Sequence, residues 1–355
     1  MAHSTLTTSP APAGPGDDPS LGRRRRISPF ALLVPVVLLL AVLVVCSLAI
    51  GAKHVSAQTL YDAWFHFDPT NGDQVVVRAR LPRTVAGLLV GGALGLAGAA
   101  MQAVARNPLA DPGILGVNAG AALAVVVALA VFGLSGISAY VWFALVGAAL
   151  AAVVVYGVAS LGREGATPVK LALAGAAMTA GLASLTNALL VTSRQTLDSY
   201  RFWQVGSVGL HDWQAIRATA PFFVVGIAIT LGTGPLLNGL ALGDDVARGL
   251  GQRVGLGRAV TALGVVILCG AATALAGPIA FVGLVVPHAV RALVGADNRW
   301  VLPLSLLVAP VLVLGADVVG RVVLPPAEVA AGISTAVIGA PVFIWLVRRH
   351  RVPGW

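Results

Sequence analysis

Apolar runs of about 20 residues recur along most of this chain, and each is long enough to cross the hydrocarbon core of a bilayer. Hydrophobic residues make up 57% of the 355 residues and charged residues 10%, whereas a soluble domain carries roughly 25% charged residues. This pattern predicts an all-α, polytopic membrane protein of about ten transmembrane helices. The predicted spans are residues 28–50, 82–104, 114–132, 137–161, 168–191, 213–231, 257–276, 279–294, 301–322 and 328–347.

The chain divides into three parts of unequal size. Residues 1–27 are rich in Pro, Ser, Thr and Gly and are predicted to form a disordered cytoplasmic tail. Residues 28–347 form the transmembrane domain, with a cytoplasmic loop at 237–256, and residues 348–355 form a second cytoplasmic tail. The arginines at 23–26 would also suit a signal peptide. The apolar run that follows is longer than the about 7–15 residues usual there, so we interpret it as a retained first span.

The basic residues predict the orientation of the chain. With the N-terminus inside, roughly two thirds of the 23 lysines and arginines fall on the inner side, which predicts that both termini are cytoplasmic. The net charge of +9 is spread over loop ends, so it indicates membrane topology and not nucleic-acid binding. Both cysteines, Cys46 and Cys269, lie in apolar runs and are interpreted as packing residues.

The loop between the sixth and seventh predicted spans is too patterned to be a simple connector. The pair Asp244–Asp245 stands where a helix would begin and favours the positive end of its dipole. Val246, Ala247 and Leu250 share one face at helical spacing, and Gly251 can end the helix. A short cytoplasmic helix is therefore predicted here, and it offers a contact surface for a partner.

Several kinds of chemistry are missing from the sequence. There are only two lysines, Lys53 and Lys170, and no Gly-Lys-Ser/Thr phosphate loop, so the chain is not expected to hydrolyse ATP. It has no G-x-S-x-G, H-E-x-x-H or C-x-x-C motif either, which argues against an intramembrane enzyme. These absences indicate that energy for any transport comes from a partner protein.

A secondary transporter is a second alternative, but such carriers keep ionisable groups near the bilayer midplane. No acidic residue falls in the middle of a predicted span. The nearest, Asp317, is predicted near the outer surface, paired along the helix with Arg321. His288 is the one histidine inside a span, and it either relays protons or makes a structural hydrogen bond.

A ridge of small residues runs along the second predicted span. Gly87, Gly91 and Gly95 repeat every four residues, so they lie on one face of the helix. Such a ridge is typical of a close helix–helix contact in a membrane, and it would also provide a smooth wall for a pathway.

Eight motifs, taken in order, resemble those of FecCD-type permeases, the membrane subunits of ABC importers for iron-siderophores, haem and cobalamin. They are Arg80-Leu-Pro-Arg83, Arg106-Asn-Pro-Leu-Ala-Asp-Pro112, Trp203-Gln-Val-Gly-Ser207, Leu237-Asn-Gly-Leu-Ala-Leu-Gly-Asp-Asp-Val-Ala247, Ala276-Gly-Pro-Ile-Ala-Phe-Val-Gly-Leu284, Pro287-His-Ala-Val-Arg291, Gly315-Ala-Asp-Val-Val-Gly-Arg321 and Gly339-Ala-Pro-Val-Phe343.

The resemblance implies a permease with ten spans that pairs with a second copy or a paralogue around a central path. It also implies two cytoplasmic ATPase subunits and an extracytoplasmic, lipid-anchored binding protein. No cofactor is expected on this chain, since ATP and Mg would be bound by the ATPases. Iron-siderophore is the expected cargo, with cobalamin or haem as the alternatives.

The resemblance also assigns residues to roles. The ATPase-coupling residues would be Leu242, Gly243, Asp244, Asp245, Ala247, Leu250 and Gly251. Arg80, Arg83 and Arg321 would dock the binding protein, because positive charge held on the outer side runs against the topology bias. The alternative is that these arginines snorkel to the lipid interface. Pathway or packing roles fall to Gly87, Gly91, Gly95, Gln102, Pro287 and His288.

One segment departs from the family pattern. The family reads Glu-Leu-Pro-x-Gly before the last span, whereas this chain reads Glu328-Val-Ala-Ala-Gly332 with its prolines moved upstream to 325 and 326.

Overall fold

The computed structural model describes residues 27–51, 55–134, 137–161, 167–209, 212–325 and 327–349. The described residues contain fourteen α-helices and no β-strand, which confirms the all-α prediction. In chain order the helices are α1 Pro29–Ala49, α2 Ala57–Phe65, α3 Gly72–Ala105, α4 Val117–Ala130, α5 Ile137–Ala159, α6 Pro168–Leu190, α7 Arg194–Gln204, α8 Trp213–Gly232, α9 Gly234–Ala241, α10 Asp244–Gly249, α11 Val254–Ala276, α12 Val282–Val294, α13 Asn298–Val323 and α14 Ala331–Arg349.

Each of the ten predicted spans corresponds to one of these helices. Among the described residues, seven helices are long and apolar enough to cross a membrane, and three shorter apolar helices, α4, α12 and α14, account for the other predicted spans. The predicted tails, residues 1–27 and 348–355, lie almost wholly outside the described residues. Helix α14 continues two residues past the predicted end of the last span, to Arg349.

Helix α3 begins ten residues before the span predicted to start at Pro82. Proline is favoured in the first helical turn, which is why the sequence suggested a start there. Instead the helix begins after Asn71, whose side chain accepts a hydrogen bond from the backbone of Asp73, and it continues through Pro82. Its 34 residues give a length of about 51 Å. The helix therefore extends well beyond the hydrocarbon core of a bilayer.

The third predicted span is shorter than expected. Residues 112–115 form a 3-10 turn, and α4 has only 14 residues. Helix α12, with 13 residues, is similarly short. The starts of these two helices come close together inside the bundle, where Pro112 and Gly283 are both buried and a Cβ atom added at Gly283 would lie 3.5 Å from the Cδ atom of Pro112. Irregular backbone is tolerated in a membrane protein where it is enclosed by other protein segments.

Helices α3 and α13 form the most extensive contact of the bundle. A Cβ atom added at Gly91 would lie 2.7 Å from the Cα atom of Pro310, and one added at Gly87 would lie 2.6 Å from the side chain of Leu314. Gly95 similarly faces Ala309. The glycine ridge thus lets the two backbones approach closely, which is the packing interpretation of its spacing.

Candidate functional site

The loop at residues 237–256, predicted to be cytoplasmic, carries the short helix that its sequence predicts. Helix α10 follows Gly243, whose φ of 110° lies outside the range that side-chain-bearing residues readily adopt. Gly251 follows the helix with a φ of 81°, so it ends the helix as predicted. The loop contains more structure than predicted, because α9 precedes α10 and α11 begins at Val254.

The two faces of α10 differ from the expected arrangement. Ala247 is fully buried against the bundle, whereas Leu242, Val246 and Leu250 are 64%, 50% and 65% exposed. The prediction that Val246, Ala247 and Leu250 share a face is therefore wrong. Leu242, Val246 and Leu250, which lie before, on and after α10, are exposed apolar side chains and are called the apolar stripe, while Ala247, one residue after Val246, turns inward. Asp245 is also outward and pairs with Arg248 at 2.8 Å.

An inner ion cluster, formed by Arg106, Asp244 and Arg258, attaches α10 to the bundle. One carboxylate oxygen of Asp244 accepts hydrogen bonds from both arginines, at 3.0 Å from Arg258. The Asp244 side chain is 27% exposed. Partial burial acts to raise the pKa of Asp244, but the charges of Arg258 and Arg106 and their hydrogen bonds outweigh burial and lower it.

The two arginines of this cluster come from different transmembrane helices. Arg106 immediately follows α3 and has a left-handed φ of 49°, a conformation that is uncommon for a residue with a side chain. Arg258 lies near the start of α11. The first residue of α10 is thereby joined to the inner ends of both α3 and α11.

A second attachment holds the preceding helix of the same loop. The side-chain amide of Asn238 on α9 donates to Asp297 at 2.6 Å and accepts from the backbone of Asn298 at 2.8 Å. The hydrogen bond from Asn238 is the largest cause of the lowered pKa of Asp297. The loop is thus fixed to the start of α13 as well.

An outer ion cluster, formed by Arg83, Asp317, Arg321 and Glu328, lies at the opposite end of α3. Arg83 donates to both oxygens of Asp317, at 3.0 and 2.8 Å, and to Glu328 at 2.6 Å. Arg321 donates to Asp317 at 2.7 Å, which confirms the pair expected along α13. The cluster joins α3, α13 and the segment before α14.

Arg321 is also bonded to the end of α1. It donates to the backbone oxygens of Ser47 and Ile50 and to the hydroxyl of Ser47, and it is 1% exposed. The expectation that Arg321 lies exposed on an outer docking surface is therefore wrong. The sequence showed its pairing but not its burial, because burial depends on the distant end of α1.

The other two docking candidates occupy different positions. Arg80 is half-buried and donates to the backbone of Leu48 at 2.9 Å. The Arg83 side chain is 14% exposed. Arg83 belongs to the outer ion cluster and Arg80 lies three residues before it on α3, so part of the predicted arginine group is accessible from that side.

The pathway candidates are held between helices of the same chain. Gln102 is buried, and its amide donates to the backbone of Gly283 and Leu284 while its oxygen accepts from Arg291. Pro287 is buried on α12. The ring of His288, partly exposed on α12, lies edge-on to Phe343 of α14 with centroids 6.5 Å apart. Their proposed role along a pathway stays a prediction.

The sequence did not assign roles to Arg106, Arg258, Asn238 or Glu328. Arg106 and Asn238 belong to quoted motifs, and Glu328 belongs to the segment that departs from the family pattern, but only the fold brings each to its partner. Among the described residues, no group of three His, Cys, Asp or Glu side chains could hold a metal ion. Cys46 and Cys269 are free thiols.

Comparison with known proteins agrees with this architecture. The chain is 45% identical over 320 residues to the ferric enterobactin transport system permease protein FepD of Escherichia coli K12, covering 90% of this chain and 96% of that protein. It is 43% identical over 305 residues to the Fe(3+)-citrate import system permease protein YfmD of Bacillus subtilis 168, covering 86% and 90%.

A solved structure gives the same result. A protein described as a metal-chelate type ABC transporter, in an inward-facing conformation, superimposes with a TM-score of 0.80 at 31% identity, covering 90% of this chain and 99% of that one. Residues 39–349 match the FecCD transport family. The chain is therefore a multi-pass membrane permease subunit of an ABC importer, not its catalytic subunit, and it belongs to the FecCD transport family.

Proposed function

We propose that this chain moves ferric siderophore complexes across the cytoplasmic membrane. The carrying observation is its similarity, at 41–45% identity over 86–92% of its length, to permeases named for ferric enterobactin, for siderophores, for ferric hydroxamate and for ferric citrate. These names favour a ferric chelate over cobalamin or haem as the cargo.

The proposed assembly contains a second permease copy or paralogue, two cytoplasmic ATPases that bind ATP and Mg, and a lipid-anchored binding protein on the outer side. Both termini are proposed to lie in the cytoplasm. The support for this orientation is the excess of basic residues on the inner side and the apolar stripe of α10, which suits a protein groove on that side.

Uptake by a deletion strain tests the cargo. Cells lacking the chain, and cells given it back, are supplied with radioiron-labelled ferric enterobactin, ferric citrate or a ferric hydroxamate, and with labelled cobalamin and haem. We expect restored uptake of at least one ferric chelate, and its loss when the phosphate-loop lysine of the partner ATPase is replaced. Restored uptake of cobalamin or haem alone would overturn the proposed cargo.

The apolar stripe of α10 is proposed to seat in the ATPase. Leu250→Glu places a charge where an apolar contact is needed, so it should abolish copurification of the ATPase and transport together. Leu161→Glu, at the inner end of α5 and similarly exposed at 71%, is the matched control and should leave both intact. Survival of copurification and transport in Leu250→Glu would refute the assignment.

Arg80 and Arg83 are proposed to meet acidic residues of the binding protein. Rim charges act mainly on association rate and its salt dependence. Arg80→Glu should therefore reduce the salt dependence of binding-protein association, measured at several ionic strengths. Arg78→Glu is the control, because the Arg78 guanidinium stacks on the Phe67 ring at 3.4 Å and should leave association unchanged. An unaltered salt dependence in Arg80→Glu would exclude this docking surface.

A further inference from the structure

Helix α10 presents two kinds of contact on opposite sides. The exposed apolar stripe consists of Val246 on the helix and of Leu242 and Leu250 on either side of it, while Ala247 and Asp244 contact the bundle. The inward contacts are few, because α10 has only six residues. Movement of α10 must therefore reach the transmembrane helices through a small number of groups.

Asp244 makes the strongest of these inward contacts. Hydrogen bonds between a carboxylate and a guanidinium are about twice as strong as those between neutral groups, and Asp244 accepts two of them on one oxygen. Its position as the first residue of α10 also places it where the N-terminal dipole of the helix favours a negative charge. Both features tie the start of α10 to its two arginines.

The two arginines lead to different parts of the bundle. Arg106 directly continues α3, which packs along α13 through the glycine ridge and carries Arg83 of the outer ion cluster. Arg258 belongs to α11, which packs on α3 itself and also on α8 and α5. A displacement of Asp244 thus acts on α3 and α11 together.

The backbone at Arg106 supports this role. A left-handed conformation is unfavourable for a non-glycine residue and persists where surrounding contacts hold it. Here the residue that ends α3 adopts it, with its guanidinium on Asp244. The junction between α3 and the coupling helix is therefore a defined connection and not a loose end.

We propose that Asp244 is the positioning residue that transfers movement of α10 to α3 and α11, separately from the apolar stripe that contacts the ATPase. This inference rests on the proposed function of α10 as the ATPase contact. It divides the loop into a docking surface, which faces the ATPase, and a transmitting contact, which faces the bundle.

The test separates docking from transmission. The complete importer is purified for wild type, Asp244→Asn and Arg258→Gln, and three quantities are measured: ATPase copurification, ATP hydrolysis, and uptake of radioiron-labelled ferric enterobactin into proteoliposomes with its binding protein. We expect Asp244→Asn to retain the ATPase and hydrolyse ATP, while uptake per ATP falls about tenfold, as loss of charge-assisted hydrogen bonds at a partly buried site would produce.

Two further variants make the result specific. Arg299→Gln is the matched control for Arg258→Gln, because Arg299 is an exposed arginine at the start of α13 on the same side of the membrane. It should keep the wild-type value of uptake per ATP hydrolysed. The double variant Asp244→Asn with Arg258→Gln should lower uptake per ATP no further than Asp244→Asn alone, because the effects of substitutions at two contacting residues are not additive. If Asp244→Asn cannot be recovered from membranes, the test uses Arg258→Gln alone, because that variant keeps the contact between Arg106 and Asp244.

The outcomes are distinguishable. Wild-type uptake per ATP in both Asp244→Asn and Arg258→Gln would overturn the proposal. Loss of ATPase copurification in Asp244→Asn would also overturn it, because Asp244 would then serve docking. If the wild-type chain neither copurifies an ATPase nor takes up the ferric chelate, the proposed function itself has failed.

Discussion

The two ion clusters at the ends of α3 use the same chemistry in different surroundings. Twenty-three helical steps separate Arg83 from Arg106, which corresponds to about 35 Å. At the outer end, the Asp317 and Arg321 side chains are each 1% exposed. At the inner end, the Asp244 side chain is 27% exposed and that of Arg106 is 33% exposed.

This difference in burial assigns different roles to similar pairs. A charge that is sealed from water is strongly destabilising when its partner is removed, whereas a charge with access to water can be resolvated. The outer ion cluster therefore fixes the relative positions of α1, α3 and α13. The inner ion cluster can be altered at smaller cost to folding, so its loss should be detected mainly in function.

The largest expected effect is on folding, from Asp317→Asn. The substitution leaves Arg83 and Arg321 without the carboxylate they share, and breaking a buried pair in this way costs about 3–5 kcal/mol. Unfolding in micelles, followed by circular dichroism against denaturant, measures the change. Asp198→Asn is the control. Asp198 and Arg201 form a 3.7 Å ion pair in which both side chains are exposed, so its loss should lower the free energy of unfolding by less than about 0.5 kcal/mol. Equal effects of the two substitutions would contradict the importance of burial.

Replacement of arginine by lysine sharpens the comparison without removing charge. Arg321 reaches four acceptors on α1 and α13, and an ammonium cannot reproduce that planar geometry. Arg321→Lys should therefore lower the free energy of unfolding by about 2–3 kcal/mol, because hydrogen bonds from a charged donor are lost. Arg258 makes one bond to Asp244, so Arg258→Lys should cost about 0.5–1 kcal/mol. The same unfolding assay compares the two variants. A larger loss of stability in Arg258→Lys than in Arg321→Lys would argue against the difference drawn between the two ion clusters.

The sequence predicted the bundle more completely than it predicted these clusters. Apolar runs determined the ten spans, and the spacing of Gly87, Gly91 and Gly95 identified one packing face, because both signals are local. The pair Asp317–Arg321 was likewise predicted, since its members are four residues apart on one helix. Burial of Arg321 was missed because it depends on the carbonyl groups of Ser47 and Ile50, far away in the chain.

The loop at residues 237–256 shows the same limit. The local sequence pattern predicts helix α10 and its end at Gly251. It does not predict which residues of the helix face the bundle. Ala247 turns inward because the bundle lies on that side, and the bundle is specified by other segments. The sequence predicts Asp244 as a residue at the start of a helix, and this is confirmed. Its ion pairs with Arg106 and Arg258 could not be predicted, because only the fold brings these three residues together.

Glu328→Gln tests the outer ion cluster at its most accessible member. The Glu328 carboxylate is 39% exposed and bonds to Arg83 at 2.6 Å, while Arg83 keeps Asp317 after the substitution. A partly exposed pair of this kind contributes about 1 kcal/mol or less, so Glu328→Gln should be several times milder than Asp317→Asn. The unfolding assay decides, and a loss as large as that of Asp317→Asn would mean that the two carboxylates act as one unit.

The smallest expected effect is a pH dependence at the inner ion cluster. The pKa of Asp244 is lowered from its ordinary value of 3.8, so the folded state favours the charged carboxylate. Its contribution to stability is therefore full above that ordinary pKa, which also holds in the unfolded chain, and is lost as pH falls through the lower folded pKa. The stability difference between wild type and Asp244→Asn should stay constant from neutral pH to about pH 5 and narrow below pH 4. A difference that widened with acidity would show that Asp244 is stabilised in its protonated form.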